Sequence, residues 1–395
     1  MLEYNNTYPN FIKYMGSKTN LLDFIMSGIK SAYIDGGTVV DLFAGSATLS
    51  GALRGHAPVI SNDIQIYSKI LAETYLNNYD WYSNLNIIDD VIAAATKKYN
   101  ELIISHGIAT DQFMYRSDMT IEEFKLIEEA QRELINKDSW NGKYYLFAKY
   151  YSGTYWTYEQ CVWIDSYRYV ADTFQDKTFS SAILTALMFA MSYNAQSTGH
   201  YAQYREANTE TSMKDIMIYR NKEITPYVKR KLIELRDSMS HTHGFNYQTM
   251  ALDFKDCLRN IPVESTVYAD PPYCFVHYSR FYHTIETLVK YDYPDIKFKG
   301  RYRTDRHQSP FCIKTKVKNA FKDMFELISE RKSNLVLSYS NTGMISIEEI
   351  NQLASKTLKG YSIELITTDY KHSTMGRRID KFKNVQEALI VIKQN

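Results

Sequence analysis

The chain is poor in cysteine, and the little it has is dispersed. Cys161, Cys257, Cys274 and Cys312 are spread over 395 residues with no Cys-x-x-Cys spacing. That indicates neither a zinc knuckle nor a disulfide framework, so reduced thiols and no metal ligand set are expected. Long apolar runs are missing too: nothing approaches the roughly 18 uninterrupted apolar residues of a membrane span. The start, Met1-Leu2-Glu3-Tyr4-Asn5, lacks the charged and then apolar pattern of an export signal. A soluble, cytoplasmic protein is the expectation. Internal repeats, low-complexity tracts and flexible linkers are also lacking. With 45% apolar residues the chain can bury a large core, as one big domain or two moderate ones.

An overall charge of either sign is absent as well, since the formal net charge is only +1. The distribution says more. Lys297, Lys299, Arg301, Arg303, Arg306, Lys314, Lys316 and Lys318 face a single acid, Asp305, and a second patch holds Lys371, Arg377, Arg378, Lys381 and Lys383 against Asp380. Such segments can neutralise phosphates, or they can be solvated basic loops.

Residues 38–43 form a β-branched run without alternation, followed by Ala44-Gly45-Ser46 and a helix-compatible stretch over 48–54. This is the strand, glycine turn and helix of a parallel sheet. A second strand over 58–60 ends in Ser61-Asn62-Asp63, with a helix over 65–75 after it. The alternation then stops. From 81 to 245 the spacing predicts a mostly helical insert, with helices over 88–106, 120–137, 181–192 and 227–238, packed against the sheet. Residues 144–169 are so rich in Tyr, Phe and Trp that no period emerges; core is the more frequent role of such a region. Strands return over 247–253, 265–269, 334–338, 361–367 and 385–392, with helices over 316–331 and 346–354. The expected fold is an α/β, Rossmann-like, mostly parallel sheet built from 1–80 and 246–395.

Ligands of open parallel sheets bind beyond the carboxyl ends of the strands. Asp41, Phe43 and Gly45 lie at one such end and Asp63 at the next, where a carboxylate can accept from both hydroxyls of a ribose. A dinucleotide cofactor needs several glycines to bring its pyrophosphate onto a helix N-terminus, whereas here Gly45 stands alone beside Phe43 and Ala47. A cofactor without phosphates suits the loop better.

The most informative segment is the buried strand 266–269 running into Asp270-Pro271-Pro272-Tyr273. Two prolines stop a strand and fix the backbone. The Asp270 carboxylate and the Pro271 carbonyl can then both accept hydrogen bonds from one NH2 group. An exocyclic amino nitrogen is a poor nucleophile because its lone pair is delocalised into the ring; two aligned acceptors favour the pyramidal form needed for attack on a sulfonium methyl group. Tyr273 is placed to stack on a base that has left the duplex. Methylation at cytosine C5 needs a thiolate, and none of the four cysteines follows a proline.

Three blocks together resemble the Dam-type, or D12-class, adenine-N6 DNA methyltransferases of the α-group order: residues 11–18 (Phe-Ile-Lys-Tyr-Met-Gly-Ser-Lys), 41–46 (Asp-Leu-Phe-Ala-Gly-Ser) and Asp270-Pro271-Pro272-Tyr273. Leu252-Asp253-Phe254 is similar to a fourth. The resemblance implies S-adenosylmethionine as cofactor, with Tyr14 and Lys18 closing its site, Asp63 on its ribose, Asp253 near its adenine and Asp270 bridging cofactor and target amine. It implies double-stranded DNA as partner, 81–245 as the target-recognition part, and a restriction-modification or other genome-marking role. A cognate restriction endonuclease and a monomeric or weakly dimeric state belong to the same expectation. Tyr14 stands where the family usually has Trp, and Ala47 where it commonly has Gly. Gly199, Tyr201 and Arg205 lie in a segment loosely similar to one that approaches DNA in the family. Tyr278, Arg280, Arg301, Arg303 and Arg306 follow the catalytic turn and are expected to hold the flipped base and nearby phosphates. The same amino-group chemistry fits cytosine N4, an RNA amine or a protein amide, and a catalytically silent DNA-binding homologue is the non-enzymatic alternative.

Overall fold

A computed structural model describes residues 2–14, 18–196, 200–239, 243–273, 278–373 and 382–395, giving the backbone alone for 369–373 and 382–386. Among these residues the strands are β1 (Val39–Asp41), β2 (Val59–Asn62), β3 (Tyr247–Met250), β4 (Thr266–Ala269), β5 (Ile296–Lys297), β6 (Tyr302–Arg303), β7 (Asn334–Ser340), β8 (Tyr361–Ser373) and β9 (Phe382–Gln394). Seven of them form one sheet in the order β3-β2-β1-β4-β7-β9-β8, while β5 and β6 make a separate hairpin. The first five run parallel. β9 is antiparallel to both β7 and β8, which makes the sheet mostly parallel with an antiparallel edge.

Burial on both faces explains why the strands read as unbroken apolar runs. Val39 and Val40 of β1 and Val267 of β4 are fully buried. Val39, Val336, Leu389 and Val391 face one core, whereas Val40, Val267, Leu335, Leu337 and Ile390 face the other. Helices Phe254–Asn260, Val317–Glu330 and Ile347–Thr357 cover the second face. The last begins with a capping box, Ser346 and Glu349 each bonding the other's backbone.

The helical insert covers the first face, and its residues belong to the same core as the sheet. Helix Thr178–Asn194 lies on helix Ile66–Leu76, where the Thr74 hydroxyl meets the Thr185 hydroxyl at 2.8 Å and the Ser181 carbonyl at 3.0 Å. Helices Ile87–His106, Ile121–Arg132, Thr178–Asn194 and Ile224–Ser238 stand where the spacing predicts them, within a few residues. The aromatic stretch is core: Tyr151, Tyr155, Trp156, Tyr158 and Tyr167 are all buried. It contains helix Tyr158–Thr173, which gave no period because apolar residues surround it on nearly every side. Among the described residues no helix is long and apolar enough to cross a membrane.

Helix Leu22–Ala32 approaches the sheet through Gly28, where a Cβ would lie 2.9 Å from Leu389 Cδ1 and 3.1 Å from Val336 Cγ1. Gly28→Val should therefore destabilise the fold by about 1–3 kcal/mol through overpacking. Chemical denaturation checks this, and an unchanged midpoint would show the contact to be looser than described.

Candidate active site

From β1 the chain moves outward to β2 and β3, and from β4 it moves the other way to β7. The loops leaving β1 and β4 diverge and open a crevice at the carboxyl ends of the strands. A cleft of about 1250 Å³, open to solvent, occupies this place. Tyr14, Lys18, Asp41, Phe43, Gly45, Asp63, Asp253, Asp270, Pro271, Pro272 and Tyr273 all line it. Every residue expected to serve catalysis or the cofactor thus faces one space.

Gly45 has φ +54° and donates its amide to Asp63 Oδ2 at 2.9 Å. A Cβ there would meet the Tyr14 ring at 3.0–3.2 Å, so the glycine lets the aromatic ring close over the loop. Asp63 also accepts from Gln65 N at 2.9 Å through Oδ1, which orients the carboxylate and leaves each oxygen a further lone pair. Asp253 caps helix Phe254–Asn260 by accepting from Lys255 N at 3.0 Å. Tyr14 stacks on Tyr282 (4.7 Å between centroids) and on Tyr278 (5.8 Å), an aromatic ladder along one wall.

The electrostatics favour a cation. Burial, and then the neighbouring Asp63 and Asp270, push the Asp41 carboxyl up to about 8, against a slight pull from the Ser50 hydroxyl. Burial raises Asp63 to about 6 despite its amide donors. Lys18 lies 3.2 Å from Asp270 Oδ1 and 3.8 Å from Glu387 Oε2. Glu387, on β9, is 1% exposed and accepts from the Tyr273 hydroxyl at 3.4 Å. Nothing in its local sequence marks it, for only the pairing of Ser340 with Glu387 across β7 and β9 brings it behind the tetrapeptide. His307 also lines the cleft and was not singled out either.

The residues expected to meet DNA are dispersed, and some expectations are corrected. The Arg303 side chain is 2% exposed, with its guanidinium divided between Asp292 (2.6 Å) and Asp305 (2.8 Å). Arg301 turns inward onto the carbonyls of Tyr150 and Arg132. Tyr201 is buried, and its carbonyl accepts from Tyr155 and His283. These three serve the fold, because counting charges and aromatics along a chain does not register their partners. Tyr278 lines the cleft rather than an outer surface. Arg205 and Arg280 are exposed and Arg306 is partly so. Gly199 and the basic side chains at 371, 377, 378, 381 and 383 lie outside what the structure describes.

A crevice of this kind, with an Asp-Pro-Pro-Tyr turn on one wall and an acidic loop with a single glycine on the other, has the form expected of an amino-group methyltransferase site. The chain belongs to the D12 class N6 adenine-specific DNA methyltransferase family, whose pattern matches residues 14–353. It is 26% identical to the modification methylase LlaI of Lactococcus lactis subsp. lactis over 97% of this chain and 55% of that protein. To the type II methyltransferase M.FokI of Planomicrobium okeanokoites it is 25% identical, over 95% of this chain and 51% of that one. With the type II methyltransferase M.NlaIII of Neisseria lactamica identity is 20%, over 91% and 92% of the two chains. The chain therefore spans about half the length of the first two and nearly all of the third.

Arg303→Ala should lower stability by about 1–3 kcal/mol, since it strips two carboxylates of their partner. Arg280→Ala, at an exposed position, should leave stability within about 0.5 kcal/mol. Thermal melts of both variants compare them, and equal losses would contradict the assignment.

Proposed function

We propose that this chain methylates the N6 amino group of adenine in duplex DNA with S-adenosylmethionine as donor. The observation that carries the reading is that Asp270, at the end of β4, opens onto the same cleft as Asp41, Gly45 and Asp63. The residues suit the donor. Carboxylates raised by burial and mutual repulsion gain from a neighbouring cation, and a loop with one glycine demands no phosphate. Asp63 would accept from the ribose, Asp253 would lie near the adenine ring, and Tyr14 and Lys18 would close the site. When bound, the donor supplies an electrophilic methyl group on a positively charged sulfur.

The chain's own part in transfer is positional. The Asp270 carboxylate and the Pro271 carbonyl accept from the target NH2 and draw its lone pair out of conjugation. The two prolines keep both acceptors fixed, so that little reorganisation accompanies the reaction. Since a paired base cannot reach such a cleft, the adenine must be flipped out, with Tyr273 at hand to stack on it. We assign 81–245 to target recognition and 1–80 with 246–395 to catalysis. Arg205, Arg280 and Arg306 are the cationic candidates for phosphate. The names of the relatives favour a role in type II modification. A cytoplasmic location, a monomeric or weakly dimeric state and a cognate restriction endonuclease are further parts of the proposal.

Asp270→Ala should abolish transfer while leaving duplex affinity within about threefold, because phosphate contacts dominate binding. Digestion of treated DNA to nucleosides and weighing of the product tests the base identity. N4-methylcytosine, or normal turnover by the variant, would overturn the reading.

Proton linkage gives a second test. Asp41 and Asp63 hold protons in the folded state at pH values where the unfolded chain has released them. Without donor, the stabilising contribution of these two groups is thus fully present below the unfolded carboxylate range near pH 4 and is lost as pH rises through about 6 and 8. Binding of the cationic donor favours the ionised forms and should tighten over that same interval, by up to about tenfold per pH unit for each carboxylate still protonated. Calorimetric titration from pH 5 to 8 measures this; a constant Kd would refute it.

A further inference from the structure

We infer that Glu387 is a positioning residue for methyl transfer, acting on both ends of the catalytic tetrapeptide; this rests on the function proposed above. At one end it shares Lys18 with Asp270, at 3.8 and 3.2 Å respectively. At the other its Oε1 accepts from the Tyr273 hydroxyl at 3.4 Å. Glu387 itself is 1% exposed on the penultimate strand of the sheet, paired with Ser340 of β7 and Thr368 of β8.

A carboxylate buried this deeply is costly unless something compensates it, and core packing has no use for it. The chemistry of Asp270 supplies a use. To hold the target amine, Asp270 needs lone pairs directed into the cleft, but the Lys18 ammonium already occupies its Oδ1. A second acid slightly farther from the same ammonium gives Lys18 another anchor. Lys18 can lean toward Glu387 as the amine arrives, without being left as an uncompensated buried charge. Through Tyr273 the same carboxylate fixes the ring beside which the extruded base must settle. Burial raises Glu387 to about 6, while the neighbouring Lys18 charge pulls it back down.

The test is a double-mutant cycle. Glu387→Gln keeps an acceptor for Tyr273 but removes the charge that draws Lys18 away from Asp270. We expect kcat for DNA methylation to fall at least about tenfold, with KM for DNA and equilibrium donor binding within about threefold, as for loss of a contact that matters only in the transition state. Glu387→Asp, which retains the charge, should recover part of the rate. In a Lys18→Gln background Glu387→Gln should add less than about a twofold further loss, since coupled residues are not additive. Normal turnover by Glu387→Gln, or losses that simply multiply, would overturn the inference and leave the proposed function standing. Absence of any N6-methyladenine from the unaltered protein would remove both. Thermal melts guard against misfolding: Glu387→Gln melting with the parent yet slow supports the inference, whereas a rate loss that tracks a lowered melting temperature counts against it.

Discussion

Acids buried close to one another along the wall of an open cleft set the terms for everything at this site. Asp41, Asp63, Asp270 and Glu387 all lie at or behind the carboxyl ends of the strands, and Lys18 is the cation that touches two of them. Electrostatic energy rises steeply as water is excluded, so the arrangement favours positively charged ligands, and burial raises Asp41, Asp63 and Glu387. The rigid proline turn, the amide donors on Asp63 and the aromatic ladder at Tyr14 then serve to hold these acids at fixed separations.

The two halves of the fold carry this constraint together. The insert shares one continuous core with the sheet, so these two parts of the chain are mechanically joined. The carboxylate of Glu286, in helix His283–Lys290, illustrates the joint. It accepts from the backbone of Ile66 and Tyr67 and so caps the helix that follows Asp63. A segment lying after the Asp-Pro-Pro-Tyr turn in sequence therefore steadies the loop that holds Asp63.

Much of the site was legible because its chemistry is local in sequence. Asp270-Pro271-Pro272-Tyr273 shows its strand, its stop and its acceptors within eight residues, and Gly45 with Asp63 follows the strand and turn rhythm of a parallel sheet. Where the meaning of a residue depends on a partner far along the chain, reading fails. Glu387 gains its place only through the register of an antiparallel strand inserted beside β7. Arg303 looked like part of a phosphate-seeking run, yet Asp292 and Asp305 absorb its charge. Helix Tyr158–Thr173 was hidden because a helix buried on most sides loses the amphipathic signature by which helices are recognised.

Ala47 adopts a left-handed backbone at φ 57° just before helix Thr48–Leu53, a conformation that favours glycine. Holding an alanine there costs on the order of 1–2 kcal/mol. Its methyl group, however, is fully enclosed. A loop built this way samples fewer shapes than a glycine-rich one would. Capture of a guest then has less chain disorder to remove, and that saving in entropy is expressed as tighter or faster engagement.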